Sequence, residues 1–414
     1  MHLKKIEDEF WTSKQRQEFP LHYILSYRAS FKAELPDFFI REFSKQGDKV
    51  LDPFGGRGTT ALQANLLRRI AFHNDINPIS EKIAYAKTHP VSISDIAKRL
   101  QSFDLTQNIA LDDHQELLAF YHPDTLKELL NLRRAISENY DDVNRFIELV
   151  AVSRLHGHSD GFFSVYSFPQ ISVSPEAQRK INAKRNQTPT YREVKSRILR
   201  KAKHALQGAA RFQERFPESQ NNQIQTGDSR KMNWIESETI DLVVTSPPFL
   251  DKVDYIKDNW LKAWFYGINE ETFKDALMQT RNLEEWKAFM RETLQELYRV
   301  VKPSGTVVIE VGEVIHKNST LNLDEIVAEL GEQVGFSLHA ILINKQRFTK
   351  LANCFGVANN EKGTNTNRCV VLVKGQAKCM NIAFLMGEVK REFNTSNKEL
   401  YAGKFSKELF SVTA

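Results

Sequence analysis

Two short segments carry residue types that can do chemistry together. In Thr245-Ser246-Pro247-Pro248-Phe249, two consecutive prolines lack backbone N–H groups and lock an extended turn. The turn offers carbonyl acceptors beside a hydroxyl and an aromatic ring. That set suits a planar amine, with Ser246 and the Pro247 carbonyl accepting its protons while its ring stacks on Phe249. A proline pair after a strand also serves as a plain stop signal, and the motif alone leaves both readings open. The second segment is Val50-Leu51-Asp52-Pro53-Phe54-Gly55-Gly56-Arg57-Gly58-Thr59-Thr60. Glycines between a strand and a helix let a ligand lie against bare backbone near the helix N-terminus, or they simply make the turn. The Lys-Ser/Thr pair of a phosphate-binding loop is missing, which disfavours ATP and GTP, and the glycines depart from G-x-G-x-x-G. Further on, Asp75 stands where a carboxylate can accept both hydroxyls of a ribose. It could equally cap a helix starting at Asn77-Pro78.

These residues need elements to hold them. An amphipathic helix is predicted over Pro36 to Phe43, then a strand at Lys49-Val50-Leu51 and a helix from Thr59 through Leu67. A second strand over Ile70 to Asn74 and a helix from Ser80 to Thr88 follow. The alternation resumes with strands at Ile224 to Asp228, Ile240 to Thr245 and Thr306 to Val311. A long helix from Leu283 to Val301 ends at a cap and turn, Lys302-Pro303-Ser304-Gly305. A helix over about Asp324 to Val334 and strands at Phe336 to Asn344 and Arg368 to Val373 complete the set. The rhythm is that of a doubly wound α/β sheet.

Between the two α/β parts the pattern changes. Helical periodicity dominates over Leu117 to Phe120, Leu126 to Ile136 and Val143 to Leu155, and an irregular aromatic stretch runs from Gly161 to Pro169. The division expected is 1–90 for the first part of the core, 91–221 for a mostly helical insertion, 222–380 for the second part of the core and 381–414 for a helical tail. The insertion holds charge that the total hides. The whole chain of 414 residues is only +5, whereas Arg179 to Lys203 carries ten Lys/Arg against one acid, Glu193. Phosphate contact is the natural use of such a run, and a solvated helix face is the bland one. Upstream, Arg154-Leu155-His156-Gly157-His158-Ser159-Asp160-Gly161 makes a polar loop ahead of Phe162-Phe163 that could reach base edges or wedge into a duplex. His156 and His158 are too close to ligate a metal unaided, and no metal site is expected. Asp254, Tyr255, Asn259 and Trp260 are candidates for a base pocket, and Asn365-Thr366-Asn367-Arg368 for a further nucleic-acid contact.

Composition sets the outer bounds. With 26% charged and 41% hydrophobic residues the chain reads as globular protein of two or three domains. No apolar run approaches the roughly 18 residues that a membrane span needs. The polar start argues against a signal peptide, which makes the cytoplasm the expected address. Cys354, Cys369 and Cys379 are odd in number and lack C-x-x-C spacing, so neither a disulfide framework nor a zinc ribbon is expected.

Taken together, the two segments resemble the amino-methylating DNA methyltransferases. Phe54, Gly56 and Gly58 look like that family's F-x-G-x-G cofactor loop, with Asp52, Thr59 and Thr60 around it and Arg57 where a serine is common. Asp75 resembles its ribose-binding acid, and Asp228 in Gly227-Asp228 the acid that binds the adenine amine. Ser246-Pro247-Pro248-Phe249 matches its catalytic motif. The stretch from His22 through Tyr27 and Ser30 to Pro36 is similar, more loosely, to the motif that closes over the methionine end. The resemblance implies a Rossmann-like core and S-adenosylmethionine as cofactor. Its DNA partner would be a duplex with the target base flipped out, with a separately encoded restriction endonuclease as a possible second partner. The contacts expected in the insertion are Arg154, His156, Arg179, Lys180, Lys184, Arg185, Arg192 and Lys195. A serine at the head of the catalytic motif favours cytosine N4 as the target; adenine N6 is the alternative. An RNA or tRNA base methyltransferase is the nearest rival, and a non-catalytic nucleic-acid-binding module the reading from another class. Cytosine C5 chemistry needs a cysteine nucleophile, and no cysteine here follows a proline.

Overall fold

The computed structural model describes residues 5–11, 19–28, 30–168, 171–208, 220–248, 254–316, 319–345 and 366–375. The expected tail, 381–414, lies outside the described residues, as does Phe249. Among the described residues there are ten strands: β1 (Lys5–Asp8), β2 (Lys49–Asp52), β3 (Ile70–Asp75), β4 (Gln223–Thr226), β5 (Ile240–Thr245), β6 (Val301–Val311), β7 (Glu313–His316), β8 (Ser319–Asn322), β9 (Phe336–Lys345) and β10 (Thr366–Lys374). Eight of them form one sheet in the order β4-β3-β2-β5-β6-β10-β9-β1, while β7 and β8 make a separate antiparallel hairpin. Within the large sheet β10 runs antiparallel between β6 and β9, and every other pairing is parallel.

Both faces of this sheet are covered, which is why its strands read as apolar runs. Alternate residues point to opposite faces. Val50, Leu242, Val244 and Val308 pack with α1 (Glu34–Phe43) and α2 (Thr59–Leu66). On the other face Leu51, Val243, Val307 and Ile309 share a core with the later helices Leu283–Val300 and Leu323–Val334. The result is a Rossmann-like α/β fold with a mixed sheet. Parallel β2 and β5 lie side by side at its centre, and β2 also pairs with β3. The turns that leave β2 and β5 therefore emerge together, at the place where open α/β sheets bind ligands.

Helix α3 (Pro78–Thr88) follows β3, and its cap is Asn77, whose side chain accepts from the Ile79 N–H. Among the described residues five α-helices then precede β4: α4 (Ile93–Ser102), α5 (Pro123–Glu138), α6 (Asp142–Val152), α7 (Pro175–Arg185) and α8 (Val194–Ala205). The lone acid of the basic stretch, Glu193, is the cap of α8 and accepts from the N–H groups of Lys195 and Ser196. This block does not fold around a private core. Leu126, Leu129, Phe146, Ile147 and Ile198 pack with Ile79 and Ile83 of α3 and with Leu261 and Phe265 of α9 (Trp260–Tyr266).

Three features differ from the sequence-based expectation. Strand β1 is only KIED, four residues whose single apolar side chain gives no strand signal; pairing with β9 makes it one. The β7–β8 hairpin was not foreseen. The turn expected at Lys302 to Gly305 is instead absorbed into β6, with Ser304 at φ 66° and a register irregularity against β5. Gly305 permits this, because a Cβ there would lie 2.6 Å from Val301 Cγ1.

One glycine of the loop after β2 is required twice over. Gly58 sits at φ 70° before α2, and a Cβ on it would lie 2.9 Å from both Cα and Cβ of Ala84 in α3. Gly58→Ala is expected to destabilise the protein by about 2 kcal/mol, read as a lower urea midpoint. An unchanged midpoint would mean that α2 and α3 do not approach this closely.

Candidate functional site

The turns after β2, β3, β4 and β5 converge on one cleft, open to solvent. Of the residues singled out by sequence, Tyr27, Phe54, Gly56 and Asp75 line it from one side. Asp228, Ser246 and Pro248 line it from the other, with Tyr255 and Phe289 completing the wall.

Asp75 settles a question that sequence left open. It is not the helix cap, a role that falls to Asn77. Its Oδ2 accepts the Gly56 N–H at 2.8 Å and its Oδ1 the Asn77 N–H at 2.9 Å, so the carboxylate braces the glycine loop from the end of β3. Burial pushes this carboxyl above the usual carboxylate range. Tyr27 faces it: burial first, then the negative charge of Asp75, drive the phenol well above its ordinary value. Ser30 does not line the cleft, and its Oγ donates to the Tyr27 carbonyl at 2.8 Å.

Asp52, Gly58, Thr59 and Thr60 stand behind the cleft wall. The buried Asp52 accepts the Thr245 hydroxyl at 2.6 Å and the Phe54 N–H at 3.2 Å, and burial raises its carboxyl to about 6. Thr60 donates to the Val244 carbonyl. Arg57, at the usual serine position, ties the loop outward: its Nη2 donates to the Phe31 carbonyl at 3.1 Å. From beneath, the fully buried Lys87 donates to the Arg57 carbonyl at 2.7 Å.

Asp228 is held by a partner that sequence reading missed. Arg230 grips both of its oxygens, with Nη2 2.7 Å from Oδ2 and Nε 3.0 Å from Oδ1. Burial opposes ionisation of Asp228, but these donors win and its carboxyl lies below the usual range. At the catalytic-type motif, the Ser246 hydroxyl donates to Glu310 Oε2 at 2.7 Å. Glu310 Oε1 in turn accepts from Asn367 Nδ2 at 3.1 Å, and burial pushes the Glu310 carboxyl up. A lone acid near the end of the apolar run Thr306 to Val311 was the signal for it. Asn367 and Arg368 thus face inward rather than outward, Arg368 pairing with the fully buried Asp324 at 3.0 Å. The Pro248 carbonyl accepts the indole N–H of Trp286 at 2.9 Å.

In the helical block the expected contacts divide. His156 is buried, its Nδ1–H donating to the Phe168 carbonyl at 2.9 Å, and burial drives its imidazole down to about 3. Arg154 lies over the Phe162 ring at 4.0 Å and hydrogen-bonds to Ser153. Arg192 holds the carbonyls of Ser159 and Phe162, and Lys195 that of Phe103. Arg185 covers Tyr166 at 3.8 Å yet stays exposed. Arg179, Lys180 and Lys184 are exposed on α7, and Arg200 and Lys203 on α8. The loop bearing His158 and Asp160 reaches solvent. Behind it the chain meets the segment that flanks Tyr255, through Ser172 N–H to the Asp258 carbonyl and Trp260 Nε1 to the Val173 carbonyl.

A family model described as DNA methylase, covering N6- and N4-acting enzymes, matches residues 3–86 and 240–407, more than half of the chain. The chain belongs to that family. It is 23% identical over 286 residues to Type II methyltransferase M.BsoBI of Geobacillus stearothermophilus, covering 62% of this chain and 54% of that relative. Identity to Type II methyltransferase M.MjaI of Methanocaldococcus jannaschii is 35% over 135 residues, which is 28% of this chain and 42% of the relative. The chain thus spans about half the length of the curated relatives it matches. Among solved structures it is similar to the rRNA methyltransferase aviRa of Streptomyces viridochromogenes, 10% identical at a TM-score of 0.35, over 88% of this chain and 93% of that one. Among the described residues no helix is long and apolar enough to cross a membrane.

The cofactor of this DNA methylase family member is S-adenosylmethionine, and the residues present fit it. Gly56 leaves a slot where a Cβ would sit 3.8 Å from the Tyr27 ring. A carboxylate suited to a diol (Asp75) and one suited to an exocyclic amine (Asp228) flank the same cleft, with Phe54 and Phe289 packed together at 5.8 Å between ring centres. Asp75→Ala is expected to weaken binding of S-adenosylhomocysteine, the unreactive product, at least about 10-fold by calorimetry. Affinity within twofold of wild type would remove Asp75 from the cofactor site.

Proposed function

We propose that the protein is a site-specific DNA methyltransferase that methylates the exocyclic N4 amine of cytosine. One observation carries the reading: Ser246 spends its only hydrogen on Glu310, so its oxygen enters the cleft as an acceptor. An exocyclic amine shares its lone pair with the ring and is a poor nucleophile. Accepting its protons, at Ser246 Oγ and the Pro247 carbonyl, returns electron density to the nitrogen. S-adenosylmethionine supplies, when bound, the electrophilic methyl group. As the nitrogen gains that methyl it must shed one proton. Ser246 Oγ takes it while passing its own hydrogen to Glu310 Oε2, which leaves a neutral buried acid. The burial that raises the Glu310 carboxyl makes it a ready terminus for that proton. Direct transfer of this kind rests on positioning and preorganised acceptors, with no covalent enzyme intermediate.

The serine at the head of the motif supports N4 over N6. The base enters from a duplex by flipping out of the stack, at a cost of a few kcal/mol, beside Pro248 and Tyr255. The helical block supplies target recognition, with phosphate contact falling to the exposed Arg179, Lys180 and Lys184, joined by Arg200 and Lys203. Arg154, His156, Arg192 and Lys195 shape the block that carries them. The type II names of the relatives support a restriction–modification setting in the cytoplasm, with a separately encoded endonuclease as partner.

Three outcomes test this. Labelled methyl should enter DNA and not RNA, and nucleoside mass spectrometry should find N4-methylcytosine; N6-methyladenine or labelled RNA would overturn the assignment. Ser246→Ala should lower turnover about 10²- to 10³-fold with cofactor affinity intact, and a wild-type rate would end its role. Glu310 must be ionised to receive a proton, so the wild-type rate should rise with pH through its raised carboxyl value and then level. Glu310→Gln should lower the plateau and abolish that acidic limb. In a separate measurement, replacing Lys180 and Lys184 by Ala should weaken binding to any duplex and flatten its salt dependence by about two ions.

A further inference from the structure

Helix α10 (Leu283–Val300) touches both halves of the site from one face. Near its start the fully buried Trp286 donates its indole N–H to the Pro248 carbonyl at 2.9 Å. One turn on, Phe289 packs against Phe54 of the cofactor loop, and the Arg230 guanidinium lies 5.5 Å from the centre of the same ring. Glu292 holds Arg230 at 3.0 Å, so the cation that grips Asp228 is itself anchored to α10. Another turn along, Glu296 accepts the Met232 N–H at 2.7 Å, fixing the turn that carries Asp228. The spacing 286, 289, 292, 296 runs in steps of three and four residues, so each contact lies one turn beyond the last. At 1.5 Å per residue it extends about 15 Å.

We infer that α10 is a rail that sets the separation of methyl donor and acceptor, and that Trp286 is the positioning residue for the catalytic turn. The turn presents two proline carbonyls. Trp286 consumes that of Pro248 and leaves the Pro247 carbonyl to pair with Ser246 as the amine's acceptors. Because Phe289, Glu292 and Glu296 fix the cofactor side to the same rigid helix, the two ligands are registered against one ruler rather than against two independent loops. In-line transfer tolerates little error in that distance, since a misplacement of about 1 Å costs on the order of 100-fold. This inference rests on the methyltransferase reading above.

The test replaces the indole N–H and keeps the ring. Trp286→Phe removes the donor, and 3-benzothienylalanine introduced at position 286 keeps the bicyclic shape without any N–H. Both are expected to lower kcat for DNA methylation about 10- to 100-fold while S-adenosylhomocysteine affinity stays within twofold and KM for DNA changes little. Phe289→Leu, on the cofactor side of the rail, is expected to show the opposite split, with cofactor affinity reduced more than kcat at saturation. If the benzothienyl protein turns over at the wild-type rate, Trp286 is packing and the rail is wrong. If kcat and cofactor affinity fall together, Trp286 supports the fold as a whole and the positioning role is equally lost. Wild-type protein that methylates no DNA would instead sink the functional reading itself, and this inference with it.

Discussion

A hydrogen bond between two strand ends holds the site together: the Thr245 hydroxyl, at the end of β5, donates to the Asp52 carboxylate, at the end of β2, at 2.6 Å. The strands are parallel neighbours at the middle of the sheet, although Asp52 and Thr245 are 193 positions apart in the chain. Asp52 opens the glycine loop and Thr245 opens the Ser246-Pro247-Pro248 turn. Their contact makes two distant segments into one surface. The bond is buried, so it is not weakened by competition with water, and losing either partner would leave the other unsatisfied in the core. From this point the cleft is built outward. Asp75 braces Gly56 from β3, Lys87 holds the Arg57 carbonyl from α3, and Glu310 holds Ser246 from β6.

The helical block has two loyalties. Its apolar side is continuous with α3 and α9, so it is welded to the core near the cleft rather than hung from it by a linker. Its charged side is divided by the same logic. Arginines at 154 and 192 are spent on ring faces and carbonyls that shape the loop around Phe162, whereas those on the outer turns of α7 and α8 remain in water. A basic stretch is therefore two populations, one structural and one available to phosphate. Linear sequence cannot separate them, because the division depends on which helix face meets a neighbour.

Much of the plan was legible from the chain alone. The alternation of apolar strands with amphipathic helices is local, and so are the glycine loop and the proline pair. Each is decided by backbone sterics and side-chain period within a few residues, which is why the elements fall close to where the pattern puts them. The misses follow the same reasoning. Strand β1 exists only because β9 offers an edge, and the turn at Lys302 to Gly305 lies inside β6 because β5 is there to pair with it.

What the sequence by itself determined is the fold class, the family and the candidate groups of the site: Asp75, Asp228 and Ser246 could be singled out without coordinates. Tertiary structure alone decided what each of these groups is doing. Whether a serine donates or accepts depends on what takes its hydrogen, and Glu310 lies 64 positions away on another strand. Whether Asp228 is charged depends on Arg230 outweighing burial, and whether Asn367 meets solvent or the site depends on an antiparallel strand pairing. Hydrogen-bond direction and ionisation are set by partners within about 3 Å in space, and sequence distance carries no information about those.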